Sequence, residues 1–272
     1  MTTTESKYVE KKNYLSRYAH EHIVAQREAA ARQAAGSGPE AKWLRAVQEE
    51  LPRYLTFLTR KCGLEFRGRI LEIGAGGAWL SAELSKLPKV VEVIATDFSP
   101  TLLKELAPNV FKLRRAHAAK ITRMPADFHQ LDFPDNHFDF VVCSEALREA
   151  ANIIQVLREA RRVLKPGGQF IAIREPVWPL VKIKSRARIL ARLVATGVNE
   201  RFYRPADYRE LFKIAGLPLE IKRVNTSSGF KYYFNAVVNG LTHARYAFIG
   251  TKRLKPLART PSVAPKRKPK PA

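Results

Sequence analysis

Residues 67–84 read RGRILEIGAGGAWLSAEL. An apolar run, Ile70 to Ile73 with one carboxylate at Glu72, meets Gly74, Gly76 and Gly77 and then turns amphipathic. Glycines at the end of a strand, just before a helix, imply that a ligand comes close to the backbone. Glycine lacks the Cβ that would block the approach, and the N–H groups opening the helix attract negative charge.

The segments around this loop alternate strand and helix. Ile70–Ile73 predicts a strand and Trp79–Leu87 a helix. Val90–Thr96 (VVEVIAT) predicts a second strand, followed by a helix from about Thr101. Phe138–Cys143 is a further strand, Ile153–Leu164 a helix stopped by KPGG, and Gln169–Ile173 a strand. A weakly marked strand precedes Asp127. This βα alternation predicts a doubly wound α/β fold, a mostly parallel sheet with helices on both faces. Upstream, residues 1–65 form a helical N-terminal extension. Residues 5–35 are expected to be helical, GSGP at 36–39 breaks the pattern, and a second helix carries Trp43, Leu44, Val47 and Leu51. Pro52 is expected to kink or restart that helix. Downstream of the fifth strand, residues 176–200 form a basic amphipathic insert. Tyr208–Ala215 is a short helix, and LPLEIKRVN and ARYAFIGTKR are two last strands. The main domain thus spans 66–252, and 253–272 is a Pro- and Lys-rich tail with too little apolar content to fold.

The chain has 272 residues and a net charge of +23, and eight of its Lys and Arg lie in Thr251–Ala272 without any acid. The rest is therefore basic too, which favours anionic partners such as nucleic acid, an acidic lipid surface or an acidic substrate. Two cysteines, Cys62 and Cys143, are too few for a disulfide framework, and neither sits in a metal-type cluster, so no metal is expected. The N-terminus lacks the apolar core of a secretion signal, and no apolar run has membrane-spanning length. The expected location is cytoplasmic, with contact at a membrane periphery open through the basic insert and tail.

The spacing Glu72-x-Gly74-x-Gly76 lacks the third glycine of a dinucleotide fingerprint, where Trp79 stands, and lacks a Walker lysine. It resembles the glycine loop of class I S-adenosylmethionine-dependent methyltransferases, with Ala78 where that family has its third glycine. Three later stretches extend the resemblance over about 66–175: VIATDFSP, ADFHQLDFPDNHFDFVV and VLREARRVLKPGGQF. The resemblance implies S-adenosylmethionine as cofactor and a seven-stranded sheet, six parallel strands and one antiparallel insertion. It implies Asp97 on both ribose hydroxyls, a task suited to a carboxylate that accepts two hydrogen bonds. It places Phe98 at the adenine face, Asp127 on the adenine amino group and the Phe128 N–H on a ring nitrogen. Glu72, Gly74, Gly76 and Ser144 complete the implied cofactor set. Each has a structural alternative. The glycines could serve helix–sheet packing, Asp97 a turn at Ser99–Pro100, and Asp127 a solvated loop. Glu72, among apolar neighbours, needs a partner in the cofactor ammonium or in loop amides. Asp139 resembles a structural acid at the start of the fourth strand.

On the acceptor side stand Ser144, Glu145, Arg148 and Glu149 after the fourth strand and Arg174 and Glu175 after the fifth, with His129 the nearest histidine; none is singled out as the base. The insert interleaves Lys182, Lys184, Arg186, Arg188 and Arg192 with Ile183, Ile189, Leu190 and Leu193, as a lid, a membrane-facing helix or a solvated face. Phe230, Tyr232, Tyr233 and Phe234 are a core strand or a substrate wall. CSEALREA stands where amino-directed nucleic-acid methyltransferases carry Asn/Asp-Pro-Pro-Tyr. The leading expectation is methyl transfer to a small-molecule or lipid-linked acceptor, an anionic one included. A nucleic-acid (RNA) methyltransferase and a catalytically inactive cofactor-binding scaffold are the alternatives. Deleting residues 256–272 is expected to leave the melting temperature unaltered; a clear drop would show that the tail is packed.

Overall fold

A computed structural model describes residues 5–14, 39–175, 177, 203–225 and 246–254. Within these, one eight-stranded sheet is built from β1 (Lys7–Tyr8), β2 (Gly68–Ile73), β3 (Val90–Asp97), β4 (Ile121–Pro125), β5 (Phe138–Ser144), β6 (Leu164–Ile173), β7 (Leu219–Arg223) and β8 (Tyr246–Thr251). The strand order is β1-β4-β3-β2-β5-β6-β8-β7. All pairs from β1 to β6 are parallel, and β8 inserts antiparallel to both neighbours. The order reverses direction between β2 and β5. Crevices at such a reversal, beyond the carboxyl ends of the strands, are where open α/β sheets bind ligands.

The helices are α1 (Pro39–Lys61), α2 (Trp79–Leu84), α3 (Ala107–Arg114), α4 (Ile153–Val163) and α5 (Pro205–Ile214). A π-type turn, Leu102–Leu106, leads into α3. Period-two alternation sends Ile70 of β2 to one face of the sheet and Leu71 and Ile73 to the other. Ile70 joins Leu51, Tyr54 and Leu58 of α1, Leu80 of α2 and Val110 and Phe111 of α3 in one core. Leu71 and Ile73 join Ile153, Val156 and Leu157 of α4 and Tyr208 and Phe212 of α5 in the second.

Two expectations need correction. The N-terminal segment is not helical from residue 5: Lys7–Tyr8 pair with Thr122–Arg123 and extend the sheet to eight strands. The exposed edge of β4 offers unpaired N–H and C=O groups, and pairing with them outweighs a modest helix propensity. Val9 N–H continues the contact, donating to the Arg123 carbonyl at 2.9 Å. The second is the restart at Pro52: α1 is continuous through that residue. An interior proline costs about 3 kcal/mol, and burial of Leu51, Tyr54, Leu55 and Leu58 offsets that. Residues 15–35, the insert apart from Val177, the aromatic run 230–234, the tail from 255 and the side chains of Trp43, Leu44 and Val47 lie outside the described residues.

Three carboxylates fasten the loops at the two ends of the sheet. Asp139, at the start of β5, accepts from Arg69 N–H at 2.9 Å and from Lys165 Nζ at 2.8 Å, joining β5 to β2 and β6. Burial pushes its carboxyl up, but Lys165 and the amide outweigh burial and hold it below the usual range. Glu72 lies on the α2 side of β2, where it accepts from Ser81 N–H at 2.8 Å and from the Ser81 hydroxyl. Glu175, just after β6, accepts from Ala146 and Leu147 N–H at 2.9 and 3.0 Å and from Arg148 N–H at 3.3 Å. It thereby holds the whole turn that follows β5. Burial pushes Glu72 up to about 8 and Glu175 up to about 7.

Asp139→Ala is expected to cost about 1–3 kcal/mol in urea unfolding, the penalty for an orphaned amide and a lost charged bond. For Glu175 the folded value lies above the unfolded one of 4.5. Its stabilising share is therefore fully present below pH 4.5 and is lost as pH rises through about 7. Glu175→Gln keeps an oxygen for the Ala146 and Leu147 amides, gives up the Arg148 amide, and should make stability fall less steeply between about pH 5 and 8. An unaltered slope would refute that role.

Candidate functional site

The glycine loop follows β2 on a left-handed path. Gly74 and Gly76 have φ of 63° and 52°, in the region that favours glycine. At Gly74 a Cβ would lie 2.6 Å from the Ala146 methyl, so close packing against the turn after β5 also requires glycine there. At Gly76 a Cβ would meet nothing within 4 Å: the loop faces open space at that residue. Packing thus explains Gly74, whereas Gly76 is bare for a reason other than its protein neighbours. Ala78 sits at φ 57°, the same left-handed region, as the residue before α2. The position where the resembling family has glycine therefore has a glycine-type backbone, and alanine holds it at a cost of roughly 1–2 kcal/mol.

Asp97 ends β3 and is 3% exposed. Its Oδ2 accepts from Gly76 N–H at 2.7 Å and its Oδ1 from Ser99 N–H at 2.9 Å. One carboxylate thus joins the glycine loop to the turn after β3. The cap of the following turn is Ser99, whose hydroxyl accepts from Leu102 N–H at 3.2 Å, so Asp97 is not needed for capping. A carboxylate offers about four acceptor directions, which suits it to join two loops at once.

Asp127 follows β4 and is 2% exposed, which removes the solvated-loop alternative. Its Oδ1 accepts from His129 N–H at 2.8 Å and lies 2.8 Å from His129 Nδ1. His129 Nε2 accepts from Asn152 N–H at 3.3 Å. With Nε2 an acceptor, the ring proton sits on Nδ1 and points at Asp127. His129 is therefore a support for Asp127, tied also to the start of α4, and not a base facing an acceptor. Phe128 packs edge-on against His129, ring centroids 4.8 Å apart.

At the end of β5 the Ser144 hydroxyl is buried and has no hydrogen-bond partner among the described residues. Glu145 and Arg174 follow β5 and β6 at φ 58° and 61°, an uncommon conformation for such residues that concentrates at functional sites. Arg174 bridges Glu145 at 3.0 Å and Glu50 of α1 at 3.2 Å. Arg148 lies 3.9 Å from both Glu145 and Glu149. Arg174 is thus engaged with two carboxylates. The role of Glu50 was not visible in the sequence, because nothing local marks a helix residue that meets a strand end 124 positions away.

All eight residues assigned by resemblance have positions at or behind the carboxyl ends of β2 to β5. Gly74, Gly76, Asp97, Phe98, Asp127, Phe128 and Ser144 lie in the loops or strand ends of that edge, whereas Glu72 is set back and turned to Ser81. Among the described residues no cluster of His, Cys, Asp or Glu fits a metal ion, and no helix is long and apolar enough to cross a membrane.

A family profile described as a methyltransferase domain matches residues 71–172. The chain is 35% identical over 132 residues to a ubiquinone/menaquinone biosynthesis C-methyltransferase, UbiE, of Pseudomonas putida, covering 48% of this chain and 50% of that one. It is 32% identical over 133 residues to the protein of the same name from a Geobacter species, 48% of this chain and 56% of that one. The chain thus spans about half the length of the curated relatives it matches. A methyltransferase structure from Bacillus halodurans superposes with TM-score 0.56 at 20% identity, over 74% of this chain and 99% of that one. A Haemonchus contortus phosphoethanolamine N-methyltransferase in complex with S-adenosylmethionine superposes with TM-score 0.56 at 16% identity, over 75% of this chain and 53% of that one. In strand order and in these superpositions the chain has the fold of class I methyltransferases, and residues 71–172 match a methyltransferase domain.

Proposed function

We propose that the protein transfers a methyl group from S-adenosylmethionine to a small, uncharged acceptor with an activated aromatic or enolic carbon. The observation that carries the cofactor half is the buried Asp97 carboxylate, fixed between the Gly76 and Ser99 amides beside a glycine that faces open space. In this reading Asp97 holds the ribose, Asp127 and the Phe128 amide hold the adenine, and Gly74 and Gly76 let the cofactor lie against the loop. The Ser144 hydroxyl, buried without a partner, is supplied with one by the cofactor or acceptor. An unsatisfied buried hydroxyl costs about 1–3 kcal/mol, so a ligand that pairs with it gains affinity.

The bound cofactor supplies an electrophilic methyl on a sulfonium. The chain's own contribution is to fix the direction of approach and to keep water out. The acceptor enters over the ends of β5 and β6, bordered by Glu145, Arg148, Glu149 and Arg174. Arg174 is already paired with Glu50 and Glu145, which removes one of the two cations an anionic acceptor would use. The relatives are named as C-methyltransferases of ubiquinone and menaquinone biosynthesis, which supports a neutral aromatic acceptor. An electron-rich ring carbon activated by a neighbouring neutral hydroxyl attacks the methyl in line as the methyl's bond to the sulfonium breaks, and the ring carbon's proton leaves to solvent or to a neighbouring carboxylate afterwards. The location this reading implies is cytoplasmic, with the acceptor's tail free to lie at a membrane surface.

The net charge of +23 keeps a nucleic-acid acceptor as the competing reading. Its mark is salt: binding carried by phosphate contacts falls steeply between 50 and 200 mM salt, on the order of a thousandfold for six contacts. Methyl transfer to a demethylated quinol that persists at 200 mM salt would exclude it.

Asp97→Ala is expected to weaken S-adenosylmethionine binding at least tenfold in calorimetric titration, about 1.5–3 kcal/mol for charge-assisted bonds. Asp97→Asn, which keeps the shape, should lose less. Unchanged affinity in a folded Asp97→Ala protein would remove the ribose assignment.

A further inference from the structure

The segment 5–14 does more than lengthen the sheet. After Lys7–Tyr8 pair with β4, it touches two loops that bracket the slot between β3 and β4. Lys11 Nζ donates to Asp132 Oδ2 at 2.6 Å. Asp132 lies in the loop that begins with the Asp127–His129 turn. Tyr14 donates its hydroxyl proton to the Phe98 carbonyl at 2.6 Å, in a part-buried position. Phe98 follows Asp97 directly. One stretch of four residues therefore spans from the loop of Asp127 to the turn of Asp97. The same segment is tied down behind the slot. Glu10 pairs with Lys104 of the π-type turn at 2.9 Å, and Arg123 reaches both the Leu103 and the Ser6 carbonyls.

The strengths of these ties differ. Lys11–Asp132 and Glu10–Lys104 are exposed pairs, and such pairs contribute little. The two-residue ladder and the Tyr14 bond carry more, since a neutral bond shielded from water is not replaced at no cost. A segment held this way is ordered without being locked.

We propose that residues 9–14 form the outer wall of the adenine slot, and that Tyr14 is a positioning residue for the cofactor. By fixing the Phe98 carbonyl, Tyr14 fixes the turn that carries Asp97, and with Lys11 it closes the side of the slot that the sheet edge leaves open. This rests on the assignment of Asp97, Phe98 and Asp127 to the cofactor. The consequence is kinetic as well as thermodynamic: the wall slows the departure of the nucleoside and leaves the acceptor side untouched.

The test compares the full chain, Tyr14→Phe, Lys11→Ala, a chain lacking residues 1–14, and Asp97→Ala. Each is titrated with S-adenosylmethionine and S-adenosylhomocysteine, and KM is measured separately for cofactor and for a quinol acceptor. Tyr14→Phe removes one donor and is expected to raise both dissociation constants roughly three- to tenfold. The cofactor KM should rise in step, the acceptor KM should stay the same, and the melting temperature without cofactor should stay within about a degree. The shortened chain should lose at least tenfold. If the full chain binds and Asp97→Ala does not, but Tyr14→Phe and the shortened chain bind like the full chain, the wall is wrong and the cofactor assignment stands. A rise in both KM values together would overturn the positioning role in favour of a general loss of structure. If the full chain binds neither compound, the cofactor assignment falls and the wall with it.

Discussion

The Asp97 carboxylate joins the two pieces of chain on which the site depends. Its oxygens accept from Gly76 on one side and from Ser99 on the other. A loop with three glycines in four positions has more conformations to lose than any other stretch of this length. A buried charged acceptor that pulls on its middle amide restricts that freedom. The position of the acid follows from the sheet: β3 runs parallel beside β2, Ile73 opposite Thr96, so the residue after Thr96 emerges level with the glycine loop. Ala75 N–H donating to the Thr96 carbonyl completes the splice at 2.9 Å.

Around this clamp the chain spends carboxylates at a rate unusual for so basic a protein. Glu72, Asp97, Asp127, Asp139 and Glu175 all accept backbone N–H groups, and four of them are fully buried. Such bonds fix loop amides in directions that a parallel sheet alone leaves undefined, since its strand ends project unpaired donors. At the ligand edge the buried Asp97 and Asp127 supply acceptors while the net charge of the chain is positive.

Ala78 and the pair Glu145–Arg174 show where local preference was overruled. All three hold left-handed backbone without being glycine. Ala78 is completely buried, so its methyl fills space that glycine would leave empty, roughly 1 kcal/mol against a strain of similar size. Glu145 and Arg174 hold their conformation while bonded to each other across the ends of β5 and β6.

The sequence by itself determined the doubly wound sheet, because apolar runs of period two alternating with helical stripes have few other ways to bury both faces. It also determined the glycine loop after β2 and the placing of Asp97 and Asp127 at the ends of the next two strands, because their spacing along the chain is short. Tertiary structure alone decided the rest. Lys7–Tyr8 became a strand because the edge of β4 was open, not because of anything in residues 5–14. His129 became a support for Asp127 because the Asn152 amide reached its far nitrogen. Glu72 turned to Ser81 because the pleat of β2 put it on the α2 side. Each of these depends on a neighbour distant in sequence or on a choice of face, and such contacts exist only once the sheet has placed the partners together.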